Sequence, residues 1–411
     1  GRSSVHLLVV ASTFPAHDAD PVPAFVRDQV IALRAEDPSL RVTVLAPHDR
    51  RSGTQSSTRH ADYDEHRFHY AWPRGAEQLA GRGIMPTLQA KPWLLPTVLT
   101  LFVGEFLALW SLVRRERPDV VYAHWFTPQA VVARWVGRLT GTPFVFTTHA
   151  SDVSVWWKIP WLGPRVVRSH AVRARRITAV SRRSMAKLRA FFDDDAWAAL
   201  EPRTRIIPMG VDLPDAEEPS VGPGERVLFV GRLAEKKGVA YLLEALAEVR
   251  RTRPQVSLTV TGDGPLRADL EQRAVELGLG ADAVRFTGYL TGADKAALLA
   301  DHGTYVVPSI ITDSGDAEGL PVALMEGLAV GQVCIATAES GADDFLVDGE
   351  NGFLVGERDS AALARALTAA VDLDDARRAR MGHEAMRTAR QFHWPTVARA
   401  HLDFLFADEG V

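Results

Sequence analysis

Cysteine is almost missing: Cys334 is the single one in 411 residues, so no internal disulfide can form and a small disulfide-stapled scaffold is excluded. Lysine is scarce as well, with six in the whole chain, and arginine carries most of the positive charge. No short internal repeat and no low-complexity tract is visible. With 46% hydrophobic and 24% charged residues, the composition fits neither a disordered nor a fibrous protein. The sequence shows no Cys/His cluster spaced for zinc. It opens on Gly1-Arg2-Ser3-Ser4 without methionine, which reads as an expression scar, and residues 5–11 are too short for a secretory apolar region. The expected location is therefore cytoplasmic.

Charge is unevenly distributed. The formal net charge is −4, yet residues 1–212 carry 28 Lys+Arg against 19 Asp+Glu, and the remainder 19 against 32. A basic half joined to an acidic half points to different partners for each. Short apolar runs alternate with helical periodicity. Strands are predicted over 5–10, 42–45, 120–122, 144–147, 177–180 and 205–207, with helices over 24–34, 129–139 and 182–192. A second series has strands over 227–230, 257–261, 284–286 and 305–307, with helices over 239–250, 266–277 and 294–300. Residues 60–69 read as a loop or short strands. This is an α/β rhythm with parallel sheets covered on both faces.

Residues 212–225 hold Pro214, Pro219, Pro223, two glycines and several acids without periodicity, a linker composition at the point where the charge changes sign. The expected domains are 1–212, 213–385 and a C-terminal helical segment 386–411 packing back toward the first. Residues 94–113 form the longest apolar stretch, with Pro96 near its start and Glu105 interrupting it. At about 20 residues it reaches membrane-spanning length. Inside a globular pattern it is expected to be a buried helix, or otherwise an interfacial one.

Ligands of parallel α/β sheets bind beyond the carboxyl ends of the strands. After the strand at 227–230 comes Gly231-Arg232-Leu233-Ala234-Glu235-Lys236-Lys237-Gly238, then a helix. Such a glycine-bounded loop suits a diphosphate, Arg232 offering a planar fork and Lys237 a mobile point charge. After 305–307, Asp316-Ala317-Glu318-Gly319-Leu320-Pro321 enters a helix over 322–330. Gly319 allows close backbone approach, Pro321 suits the first helical position, and the amides of the helix start attract phosphate. Glu318 stands at the tip and Glu326 lies along the helix; Glu326 could accept two hydroxyls of a sugar or ribose. Each acid taken alone could equally be a helix-start carboxylate favoured by the dipole.

These motifs occur in one order with Gly262-Asp263-Gly264, Phe286-Thr287-Gly288 and Asp348-Gly349-Glu350-Asn351-Gly352-Phe353-Leu354-Val355. The ordered set resembles the retaining glycosyltransferases of family 4 over nearly the whole chain. The resemblance implies a GT-B fold, two Rossmann-like domains facing across a cleft. It also implies that a nucleotide-diphosphate sugar is co-substrate, held by the second domain through Gly231, Gly262, Gly319, Leu320, Pro321 and Glu326. Arg232 and Lys237 would contact the diphosphate, Glu318 would lie near the transferred sugar, and backbone near Tyr289 and Leu290 would face the base. The reaction implied is hexosyl transfer to an acceptor hydroxyl with retention of anomeric configuration. A nucleotide-sugar epimerase on the same fold, or a silent nucleotide-sugar-binding protein, are the alternatives.

In the first half, His48, His124 and His149 follow strands. Thr147-Thr148-His149-Ala150-Ser151-Asp152 is the best placed; by the resemblance His149 attends the donor sugar with Asp152 nearby, and imidazole titrates near working pH. The loop from Ser12-Thr13-Phe14-Pro15 to Phe25-Val26-Arg27 resembles the family's loop near donor and acceptor, with Phe25 and Arg27 on the acceptor side. Here Pro23 and Ala24 replace the usual glycine, which puts a glycine-dependent phosphate contact in doubt.

Asp18/Asp20 and Asp62/Asp64 imitate a metal-binding Asp-x-Asp, but cationic side chains already offset a diphosphate, so no metal is expected. Residues 153–192 carry ten basic residues and, past Asp152, no acid, with Trp156, Trp157 and Trp161 interleaved. That pattern suits an anionic acceptor or peripheral contact with an anionic membrane. No nucleic-acid-binding module accompanies it. The acceptor itself is a lipid, a glycan or a small metabolite.

Overall fold

Runs apolar at every position can form strands buried on both faces, and the chain builds two such sheets. The computed structural model describes residues 4–18, 20, 22–49, 56–79, 84–214, 216–317 and 321–409. The first sheet contains β1 (His6–Val10), β2 (Arg41–Pro47), β3 (Ser57–Arg59), β4 (Asp64–Phe68), β5 (Val120–His124), β6 (Phe144–Thr148), β7 (Ile177–Ala179) and β8 (Thr204–Ile206). Its spatial order is β3-β4-β2-β1-β5-β6-β7-β8, with only β3–β4 antiparallel. The second sheet contains β9 (Arg226–Val230), β10 (Ser257–Thr261), β11 (Val284–Gly288), β12 (Thr304–Val307), β13 (Val333–Thr337) and β14 (Phe353–Val355). Its order is β11-β10-β9-β12-β13-β14, parallel throughout. Strand order reverses between β1 and β5 and between β9 and β12, so both sheets are doubly wound.

Two units result: unit 1 comprises Gly1–Gly210 and Trp394–Val411, and unit 2 comprises Val211–His393. Helix Trp394–Phe404 places Trp394, Val397, Ala398 and Leu402 in the unit 1 core beside Leu7, Val9, Val42 and Val44. Residues 386–393 instead finish unit 2, where helix Asp375–Arg390 ends. The proline-rich segment 212–225 is a strap on unit 2 rather than a slack tether. The amides of Ser220 and Gly222 donate to the carbonyls of Val330 and His302 at 3.0 and 3.2 Å.

The long apolar stretch is a helix, as expected, but only in part a buried one. Helix Leu95–Glu116 buries only one face, through Leu101, Glu105, Leu109, Leu112 and Val113. Leu95, Leu99, Val103 and Leu107, each four residues from the last, are 52–70% exposed. Among the described residues, Pro92–Glu116 is the one helix long and apolar enough to cross a membrane. Its inner face, however, belongs to the core of unit 1, so it is a surface helix with two apolar faces. A period of 3.6 marks the buried stripe only when the opposite face is polar. Here it is not, and the sequence could not reveal which side faced inward.

Glu105 lies on the inner face with neither carboxylate oxygen hydrogen-bonded. Burial pushes its pKa up to about 8. A raised carboxyl pKa destabilises the folded state increasingly as pH climbs from the unfolded value of 4.5 toward 8. Glu105→Met is therefore expected to stabilise unit 1 by roughly 2–3 kcal/mol at pH 7, with most of that gain gone at pH 5. Thermal melts of both proteins at the two pH values check this; an equal gain at each pH would contradict the protonated carboxyl.

Candidate active site

In unit 2, β10 stays in register with β9 from Ser257–Arg226 to Thr261–Val230. By contrast, β12 pairs with β9 only at Thr304–Val227 and Tyr305–Leu228. Beyond those residues a cavity of about 200 Å³ is lined by Val230, Lys237, Val307, Ser309, Pro321 and Ala323. It lies where strand order reverses, the place such sheets offer a ligand. A larger hollow of about 990 Å³ at Gly349, Phe353, Asp372, Arg377 and His383 lies away from that reversal. On the smaller cavity Lys237 and the start of helix Val322–Ala329 converge.

The loop after β9 packs closely at two glycines, Gly262 just after β10 and Gly238 at its own end. Gly262 has φ 136°, and a Cβ there would stand 1.8 Å from the carbonyl oxygen of Gly231. Gly238 has φ 68°, and a Cβ would stand 2.0 Å from the carbonyl of Pro308. Both positions need glycine for conformation and for space. The short turn Glu235–Lys237 separates the adjacent lysines. Lys236 pairs with Asp316 at 3.6 Å, whereas Lys237 lines the cavity. Arg232 is exposed, just after the half-buried Gly231.

Pro321 is the residue before helix Val322–Ala329, not its first residue as expected from the sequence; its carbonyl accepts from the amide of Leu324 at 3.0 Å. Val322 and Ala323, whose amides have no acceptor within the helix, join Pro321 and Lys237 around the cavity. Glu318, Gly319 and Leu320 lie outside the described residues. Glu326 is ion-paired through Oε1 to Lys295 at 3.0 Å, and its buried Oε2 has no partner. One oxygen thus remains to accept a hydroxyl. Lys295, to which sequence reasoning gave no role, fixes that carboxylate; the scarcity of lysine was its only signal. Tyr289 is 77% exposed and Leu290 half-buried, both just beyond the carboxyl end of β11.

Unit 1 assembles a different chemistry. A buried polar chain runs from Thr178 to Thr147 (2.6 Å), to Tyr122 Oη (2.6 Å) and to Gln29 Nε2 (3.2 Å). Gln29 Oε1 then meets His124 Nε2 at 3.2 Å, and His124 Nδ1 meets His149 Nε2 at 3.4 Å. Nothing in the spacing of these residues revealed it. Phe25 and Trp125 flank His149, with ring centroids 5.5 and 5.3 Å away. Burial pushes the His149 pKa down to about 4 and that of His124 well below its usual value. The imidazole poised near working pH that the sequence suggested is therefore corrected: His149 is a neutral hydrogen-bonding group at pH 7.

Asp152 is buried and fully engaged. Oδ2 accepts from the amide of Phe126 at 2.7 Å, and Oδ1 accepts from the Thr148 hydroxyl at 2.8 Å and the His149 amide at 3.0 Å. Burial raises its pKa, while these donors oppose the rise. Asp152 thereby binds together the loops after β5 and β6, where Trp125 and Ala150 sit at φ 81° and 98°. Non-glycine residues in such conformations cost about 1–3 kcal/mol each and persist only when surroundings enforce them.

Arg27 pairs with Asp18 at 3.4 Å. The buried Arg67, also missed from the sequence, donates to the carbonyls of Phe14, Pro15 and Pro47 at 3.1 Å and so pins the early loop. Ala24 caps helix Phe25–Glu36, its carbonyl accepting from Asp28 at 2.8 Å.

Residues 39–214 match the family Glycosyltransferase Family 4, and residues 215–388 match Glycosyl transferases group 1. A GDP-mannose-dependent alpha-(1-6)-phosphatidylinositol monomannoside mannosyltransferase of Mycolicibacterium smegmatis is 31% identical over 275 residues, 63% of this chain and 69% of that protein. Glycogen synthase of Mycobacterium tuberculosis is 29% identical over 307 residues, 72% and 71% of the two chains. The crystal structure of Anabaena HepE in complex with UDP superposes with TM-score 0.64 at 20% identity, covering 98% of this chain and 100% of the other. These likenesses favour neither the epimerase nor the silent binding protein. With glycine turns, Lys237 and a helix start meeting at the strand-order reversal, the chain belongs to the family 4 glycosyltransferases of GT-B fold and takes its sugar from a nucleotide-sugar donor.

Proposed function

We propose that this enzyme transfers a hexose from a nucleotide-diphosphate sugar to an acceptor hydroxyl with retention of anomeric configuration, and that no metal ion is needed at the diphosphate. The convergence of Lys237 with the start of helix Val322–Ala329 on one cavity carries this reading. A lysine charge and helix-start amides aimed at the departing diphosphate stabilise the negative charge that develops there, which lowers the barrier without proton transfer. Arg232 adds a second cation from the same loop. Glu326 Oε2 accepts a ribose hydroxyl, while Gly231, Gly262 and the Gly319–Pro321 backbone permit close approach of the donor. Tyr289 and Leu290 supply backbone toward the base. The role carried over from the family for Glu318 is toward the transferred sugar, and neutral His149 hydrogen-bonds a sugar hydroxyl rather than donating a full charge. Phe25 and Arg27 line the acceptor side, with Asp152 holding His149 in place. Retention itself is carried over from the family.

Removing one preorganised charge-stabilising donor costs on the order of 10²–10³ in turnover. Lys237→Ala is expected to fall in that range with its circular dichroism unchanged, while Lys236→Ala, whose side chain meets Asp316 and does not line the cavity, loses far less. Steady-state rates with and without Mg²⁺ measure both points; equal losses in the two variants, or a Mg²⁺-dependent rate, would refute the assignment.

Proton NMR of fresh product is expected to show the donor's anomeric coupling preserved, and donor incubated alone to stay unepimerised. An inverted product would refute retention.

We further propose that unit 1 works at the cytoplasmic face of an anionic membrane, which makes a lipid-linked acceptor the favoured choice. The Mycolicibacterium smegmatis relative, a phosphatidylinositol monomannoside mannosyltransferase, supports this. The exposed ridge Leu95, Leu99, Val103 and Leu107 continues through Phe102 and Phe106 to Trp135 and His170, with ring centroids 6.3–6.4 Å apart. Leu139, one helical turn beyond Trp135, is 62% exposed as well. Burial, and then the neighbouring Arg173 and Arg138, lower the pKa of Arg134, so these guanidiniums crowd together beside it. Apolar ridge plus cationic cluster is the complement of an anionic bilayer surface.

In flotation assays the full chain is expected to rise with phosphatidylglycerol vesicles and not with phosphatidylcholine ones, and Leu99→Asp/Val103→Asp to stay behind. Equal recovery of that variant, or a dimer masking the ridge in vesicle-free solution, would overturn the membrane reading.

A further inference from the structure

We propose that His48, His69 and Glu77 form a binding site for a divalent cation of the zinc class at the carboxyl edge of the unit 1 sheet. One ligand atom from each residue lies within 4.8 Å of the others. The parallel pairing of β2 with β4, from Thr43–Asp64 to Pro47–Phe68, produces this. His48 and His69 each follow the end of one of these strands, and their rings meet at a centroid distance of 4.4 Å. Glu77 is fully buried and anchored, Oε2 accepting from the amide of Tyr70 at 3.0 Å while Oε1 faces His69 Nδ1 at 2.7 Å. His48 Nδ1 is buried without any hydrogen-bond partner. Buried polar atoms are nearly always satisfied, and an imidazole with an unpartnered buried nitrogen, set beside a second imidazole and a carboxylate, is an arrangement a cation would satisfy.

Two imidazoles and one carboxylate match the open tetrahedral sites of zinc, which leave a fourth position for water or an anionic oxygen. Bonds of about 2.1 Å place ligand atoms roughly 3.4 Å apart, so the His69–Glu77 contact would open by somewhat over half an ångström. The Tyr70 amide supplies the outer bond that fixes a ligating carboxylate. Arg74 competes for the same oxygen from 3.7 Å, but its side chain is half exposed and can turn to water. Bound there, the ion would fasten the segment after β4 to the end of β2. This site is separate from the diphosphate cavity of unit 2, so it stands or falls independently of the transfer mechanism.

The test is isothermal titration of the metal-stripped full chain with ZnCl₂ and, separately, MgCl₂. One equivalent of Zn²⁺ is expected to bind, Mg²⁺ not to compete, and His48→Ala and His69→Ala each to weaken binding by more than about tenfold. His69 is exposed, so its variant remains folded and informative even if a Glu77→Gln protein does not. Absence of saturable Zn²⁺ binding, or binding that both histidine variants leave unchanged, would overturn the site.

Discussion

Two register pairs, Thr304 with Val227 and Tyr305 with Leu228, are all that join β12 to β9. The site in unit 2 depends on that brevity. Strands that stayed paired to their ends would leave no room for a ligand between the loops that follow them. Because the strand order reverses there, the two loops lead away to opposite sides and a hollow opens between them. The glycine contacts then bring the loops close enough for backbone and side chain to act on one small volume. Replacing either glycine would push the loops apart before any charge could be placed.

Charge in this protein is assigned by partners as much as by residue type. Of two adjacent lysines, one meets Asp316 at 3.6 Å and the other lines the cavity. Glu326 has one oxygen held by Lys295 and one left to accept. In unit 1 the same economy works through burial. His124 and His149 are kept neutral in an interior of hydroxyls, an amide and aromatic rings, and a carboxylate with three donors holds the two strained loops around them. A neutral imidazole can donate or accept one hydrogen bond at each nitrogen without carrying a charge.

Surfaces of unit 1 were the least legible part of the chain. Helix Leu95–Glu116 is apolar on both faces, so periodicity could not distinguish core from surface, and packing alone exposed its outer ridge. His48, His69 and Glu77 carry no recognisable metal spacing; the parallel pairing of two strands sets them side by side. Arg67 was equally silent, because a buried structural cation looks in sequence like any solvated one.

What the sequence determined by itself was the α/β rhythm, the glycine-bounded loop, the helix with its leading proline and the order of motifs along the chain. These are local properties: strand apolarity, backbone freedom and helix capping act over a few residues and are written into consecutive letters. What the tertiary structure decided was strand order, which lysine lines the cavity, how far each histidine is removed from water, and which face of the long helix remains uncovered. Each of those is set by contacts between residues tens of positions apart, and burial, which governs both charge state and exposure, has no meaning until the chain has packed.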